Sequence, residues 1–177
     1  MNILPVLQTG KLIVLYASHA AREESAVLTA ELALRGAVTV LDGGNRIMPY
    51  RVAQLLRRRT VDVMTASKRV FIRRAFTCYE MNSLLADTPA IQQPYVILDL
   101  LNTFYDDHVP VHEVHRLLTL CLDQIQRLQV SSPILVTLAP PMIQERAFLI
   151  ERVCEKADEV FTINAPIPQA IQPVLFS

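Results

Sequence analysis

Glycine is scarce in this chain: four residues in 177, at Gly10, Gly36, Gly43 and Gly44. A loop that wraps phosphate with backbone amides needs several glycines within a few residues. Only the Gly43-Gly44 pair comes close. Cysteine is scarce too, and Cys78, Cys121 and Cys154 lie far apart with no CxxC pair. This excludes a disulfide framework or a cysteine zinc site and fits buried thiols in a reducing, cytoplasmic setting. No hydrophobic run is long. The strongest, Leu12–Ala17, is far too short to span a bilayer. Lys11 precedes it and small residues follow, as in a secretory leader, but it is short and sits where a first core strand belongs. Net charge is zero and no internal repeat or linker is visible.

What is present is a folding chain: 51% of residues are hydrophobic and 19% are charged, enough for one domain with a real core. Apolar strand patterns alternate with helical ones. Leu12–Ala17, Val38–Asp42, Val70–Arg73, Tyr95–Leu101, Ile134–Leu138 and Glu159–Ile163 read as strands. Continuous apolar runs of this kind are the pattern of strands covered on both faces. Helices are expected over Glu23–Arg35, closed by Gly36, and over Pro49–Arg59, Cys78–Ala86 and Gln144–Lys156. A long helix opens at Pro110, with Val111, Val114, Leu118, Cys121, Ile125 and Leu128 as its core stripe. The expected fold is a single α/β domain over residues 1–163, with a mostly parallel sheet of about six strands and helices on both faces. A proline-containing tail, 164–177, follows and is expected to lie extended over the surface or a partner.

The ordered stretches VTVLDGGNRIMPYRVAQLL, VFIRRAFTCYEMNSLL and YVILDLL resemble the ATPase core of the RecA and KaiC recombinase-like superfamily, a P-loop NTPase fold. Asp42, Ile47, Pro49, Arg51, Arg74, Ala75, Phe76 and Asp99 fall on matching positions in matching order, from about Leu12 to Leu138. The resemblance implies strand order 3-2-4-5-1-6. It also implies a nucleotide site at the first turn, a magnesium-organising aspartate at Asp99, and roles in DNA recombination or repair.

The departures fall on that site. In the turn ASHAAREE, Ala17 and Arg22 stand at the P-loop glycine positions, Glu23 at the lysine and Glu24 at the hydroxyl. Side chains then stand where backbone must approach phosphate. The lysine charge is lost, and like charges about 4 Å apart repel by several kcal/mol near a surface. Gly44 stands where the family has its water-activating glutamate. No nucleotide cofactor and no ATP hydrolysis are therefore expected. Glu23 and Glu24 would instead favour the helix dipole in its first turn. Asp99, without a triphosphate to complete a magnesium site, is expected to bond the Ser18–Ala21 turn.

Other clusters are weaker. Asp106, Asp107, His108, His112, Glu113 and His115 match no strong ligand spacing, and the acids suit a helix start; no metal is expected. Adjacent Ser18 and His19 do not make a nucleophile–base pair. Charge is uneven, however. From Arg51 to Arg74 eight basic residues face one acid, Asp62, a net of +7 balanced by −7 elsewhere. Arg57, Arg58, Arg59, Lys68 and Arg69 are its candidate nucleic-acid contacts. Three functions follow: an inactive RecA-like protein that assembles with itself or a protein partner; a nucleic-acid-binding module; and a small-molecule enzyme at the strand-end crevice.

Overall fold

The computed structural model describes residues 4–163. Six strands form one all-parallel sheet in the order β3-β2-β4-β5-β1-β6. They are β1 (Leu12–Ala17), β2 (Val38–Asp42), β3 (Val70–Arg74), β4 (Tyr95–Leu98), β5 (Ile134–Leu138) and β6 (Glu159–Ile163). The helices are α1 (Arg22–Arg35), α2 (Pro49–Arg57), α3 (Val63–Lys68), α4 (Cys78–Ala86), α5 (Val111–Gln129) and α6 (Phe148–Cys154). The segment 164–177 lies outside the described residues.

Alternation along the strands builds two cores. Ile13, Leu15, Val38, Val40, Val96, Leu98 and Leu135 pack under α1, α2 and α3. Leu12, Val14, Leu41, Tyr95, Ile97, Ile134 and Val136 pack under α4, α5 and α6. The result is the three-layer α/β fold expected from continuous apolar strands.

Some boundaries differ from the sequence-based expectation. β4 stops at Leu98, because Asp99 turns into the left-handed region (φ 48°) and Leu100–Phe104 form a 3-10 helix. Leu100, Leu101 and Phe104 are buried there, and an apolar run cannot by itself tell a strand from a buried helical turn. The helix expected over Gln144–Lys156 is a 3-10 turn, Gln144–Arg146, followed by the shorter α6. α3 was not anticipated; Asp62 starts it, its Oδ1 accepting from Thr65 N–H at 3.1 Å. Val111 is 48% exposed and does not belong to the stripe that otherwise anchors α5. Gly36 closes α1, its N–H donating to Leu32 O at 2.9 Å. Its φ of 175° is extended backbone, so this stop does not depend on glycine.

Candidate functional site at the carboxyl ends of the strands

All six strands point the same way, so their carboxyl ends gather the first turn, the β2 loop and the segments after β4 and β5. The first turn runs from Ser18 to Ala21. Ala20 and Ala21 are buried and both left-handed, with φ 51° and 48°. Two non-glycine residues in that region cost on the order of 1 kcal/mol each. Ala20 N–H donates to Ala17 O at 3.0 Å, so the turn closes on itself. Arg22 Nε donates to Arg46 O at 3.3 Å. Glu23 lies in the first turn of α1 and accepts from Arg51 Nε at 2.7 Å and also from Arg51 Nη2. The Glu23 carboxylate is therefore tied to α2.

Asp42 ends β2 fully buried. Its Oδ1 accepts from Arg46 N–H at 2.8 Å and its Oδ2 from Ile47 N–H at 3.1 Å, with Arg74 Nε at 3.6 Å. This carboxylate folds the Gly43–Ile47 loop back over the strand ends and so positions Arg46. The Arg46 side chain then meets Asp99, its Nε donating to Asp99 Oδ2 at 2.7 Å. The Asp99 side chain is 1% exposed and that of Arg46 31%. Asp99 N–H donates to Thr137 Oγ1 at 2.9 Å, while Asp99 Oδ1 has no hydrogen-bond partner among the described residues. The expectation that Asp99 bonds the Ser18–Ala21 turn is thus corrected: its partner is a guanidinium from the β2 loop.

Gly44 lies against the Asp99 side chain. A Cβ added there would lie 2.5 Å from Asp99 Oδ2 and 2.6 Å from Asp99 Cβ. A Cβ on Gly43 would lie 2.6 Å from Met81 Cε. The loop therefore needs small residues where it crosses Asp99, and a glutamate at position 44 has no room in this arrangement. Arg46 was missed in the sequence because an arginine in a glycine-containing turn carries no distinguishing spacing.

Beyond Arg46 a crevice of about 270 Å³ opens, lined also by Asn102, Tyr105, Asp106, Asp107 and Met142. Tyr105 O–H donates to Ala139 O at 2.8 Å, joining the segments after β4 and β5. Burial first, then the Asp99 carboxylate and Tyr16, push its phenol pKa well up, so it stays a neutral donor. Arg146 is buried behind this wall, and its Nη2 donates to the Asp106 and Val109 carbonyls at 3.1 and 2.7 Å.

The acids at 106 and 107 do not cap α5. Asp106 Oδ1 accepts from His108 N–H at 2.9 Å, and both carboxylates approach His108 Nδ1, at 2.9 and 3.0 Å. The bond to Asp106, then the charges of Asp107 and Asp106, raise the His108 pKa. These three exposed residues are the one group of potential metal ligands close enough together among the described residues. His115 instead stacks on Phe148 at 4.5 Å and contacts Arg152 through Nδ1 at 3.0 Å, away from any such group. The thiols are free; burial raises all three pKa values, that of Cys121 to about 12.

The basic segment divides. Arg59 pairs with Glu31, and Arg69 Nη1 donates to the Ala33 and Leu34 carbonyls at the end of α1, at 3.2 and 3.3 Å. The side chains of Arg57, Arg58 and Lys68 are exposed and make no hydrogen bond or ion pair among the described residues. No helix among the described residues is long and apolar enough to cross a membrane. No protein-family model matches the chain, and no curated protein matches it.

Proposed function

We propose that the chain is a RecA-like domain that does not hydrolyse nucleotide and works in the cytoplasm by assembly, with itself or a protein partner, in DNA recombination or repair. The observation that carries this reading is the Arg46–Asp99 pair. In the family the strand-end aspartate organises a magnesium; here its carboxylate bonds an internal cation that the fold itself supplies. The neighbouring positions support the same reading: Glu23 is engaged by Arg51, and Gly44 packs against Asp99 with no space for an acid. A nucleotide would have to displace the guanidinium, bring its own metal and bear the charge of Glu23.

Isothermal titration with ATP and magnesium chloride tests this. The expected result is no binding heat and no phosphate release; micromolar binding or measurable turnover refutes it.

Nucleic-acid binding is a second reading, favoured by the exposed Arg57, Arg58 and Lys68. Anisotropy with single- and double-stranded DNA across a salt series would then give a steep negative slope, flattened by alanine at 57 and 58. The small-molecule reading keeps the open crevice beside Arg46 as its site.

A further inference from the structure

Between α2 and α3 the chain makes a turn over Arg58–Asp62. One side of α3 fixes it to the body: Ala66 is buried and Val63 packs on the core shared with α1 and α2. The other side carries Met64, which is 70% exposed. Val61 precedes the Asp62 cap. An apolar residue at that position ordinarily packs back on the fourth residue of the helix, here Ala66. Val61 does not: it is wholly exposed, at 104%, while Ala66 is 4% exposed. Two apolar side chains close in sequence thus stand in solvent at a protruding turn, and neither belongs to a core cluster.

The free charge beside them is positive. The side chains of Arg57, Arg58 and Lys68 are exposed and unpaired among the described residues, whereas Arg59 and Arg69 are turned to α1. Asp62, the one acid of the stretch, is engaged by Thr65 N–H at 3.1 Å. Each half of this arrangement restricts the partner. A nucleic acid takes the cations but offers Val61 and Met64 only hydrated phosphate and sugar. Residues 57–69 also contain no aromatic side chain on which a base could stack. A bilayer with anionic headgroups takes both halves: apolar side chains enter the acyl boundary while cations stay at the phosphates. Stable attachment to a membrane surface needs two such signals together.

We propose that the α2–α3 turn docks on an anionic lipid bilayer, with Val61 and Met64 entering the boundary between headgroups and acyl chains and Arg57, Arg58 and Lys68 at the lipid phosphates. The chain then lies on the membrane surface without crossing it. This goes beyond the assembly reading and does not depend on it, since none of these residues belongs to the strand-end site.

Flotation of the full chain with vesicles tests this, using phosphatidylcholine alone or mixed with phosphatidylglycerol. The chain should float with the mixed vesicles and not with phosphatidylcholine alone, and the binding should weaken as salt rises. Arg57→Ala with Arg58→Ala should weaken it about 25-fold, at roughly fivefold per cation. Val61→Ser with Met64→Ser should weaken it about tenfold. These side chains are exposed, so circular dichroism and cooperative unfolding should be kept. The chain contains no tryptophan, so Val61→Trp places a single indole at the turn. Its emission should shift to the blue on mixed vesicles and be quenched by brominated acyl chains; should the serine pair unfold, this quenching decides alone. The proposal is overturned if no vesicles bind at low salt, if the folded serine pair binds mixed vesicles as the wild type does, or if the indole is not quenched. It is also overturned if DNA binds, with loss on alanine at 57 and 58, where vesicles do not, which makes the occupant a nucleic acid. Titration with ATP is read separately: nucleotide binding would refute the inactive-ATPase reading and leave the vesicle result standing.

Discussion

Removing the Arg46 side chain isolates a buried carboxylate. Asp99 has one charged partner, Arg46 Nε at 2.7 Å, and its second oxygen has no partner among the described residues. Breaking a buried ion pair by deleting one member costs about 3–5 kcal/mol, because the remaining charge stays desolvated. The Arg46 side chain is 31% exposed, so water can reach part of the space it leaves. We therefore expect Arg46→Ala to cost about 2–3 kcal/mol, which for a chain of this length lowers Tm by roughly 4–12 °C. Asp99→Asn in the same background should return stability, since an amide carries no charge to strand and asparagine tolerates the left-handed backbone found at φ 48°.

The assay is guanidinium unfolding followed by circular dichroism for the wild type, both single variants and the double variant, compared at constant m. The decisive feature is a sign: Arg46→Ala with Asp99→Asn should be more stable than Arg46→Ala alone, with a coupling of at least about 1.5 kcal/mol. If Arg46→Ala costs under about 1 kcal/mol, or the two losses simply add, the pair does not hold the β2 loop and its role in closing the site is refuted.

Placing an acid at 44 by Gly44→Glu should cost at least about 3 kcal/mol, because its Cβ would enter the Asp99 side chain and bring a second carboxylate beside it; thermal unfolding measures the loss, and phosphate release should stay at background. Arg127→Ala removes a guanidinium whose Nη2 reaches the Leu85, Ala86 and Thr88 carbonyls at the end of α4, at 3.1, 3.4 and 2.8 Å. A loss of about 1–2 kcal/mol in denaturant is expected, modest because the arginine is exposed. His108 should titrate by NMR with a midpoint above 6.5, the direction set by Asp106 and Asp107. Its folded-state pKa is raised, so its stabilising contribution is full below 6.5 and fades as pH rises through the folded value; Asp106→Asn with Asp107→Asn should bring the midpoint back toward 6.5.

The sheet was legible because parallel strands buried on both faces leave continuous apolar runs, and five of the six occupy the expected residues to within one position. The sixth, β4, was over-extended for the same reason. Leu100 and Leu101 are as apolar as the strand before them, and only the left-handed turn at Asp99 separates the two. Residues 60–69 were read for their charge alone, and the Asp62 cap of α3 went unseen inside a segment notable for arginine. At the site, Glu23 and Gly44 could be seen to differ from the family that the sequence resembles. The ion pair that the site contains could not be seen, because Arg46 and Asp99 are 53 residues apart in sequence. A long-range ion pair leaves no periodicity to detect.

That ion pair gives the Gly43–Ile47 loop its character. Asp42 holds the backbone of Arg46 and Ile47, Asp99 holds the Arg46 side chain, and Gly44 lies so close to Asp99 that the loop can cross only there. Each contact depends on the others: a side chain at Gly44 would displace Asp99, and a displaced Asp99 would release Arg46. A bound metal ion can leave with its product, whereas a guanidinium on the chain remains wherever the loop is folded. On the proposed reading, an internal cation settles the strand-end charge permanently, and no cycle of nucleotide binding and release is available to move the loop. Interaction with other molecules would then fall to surfaces that this site does not use.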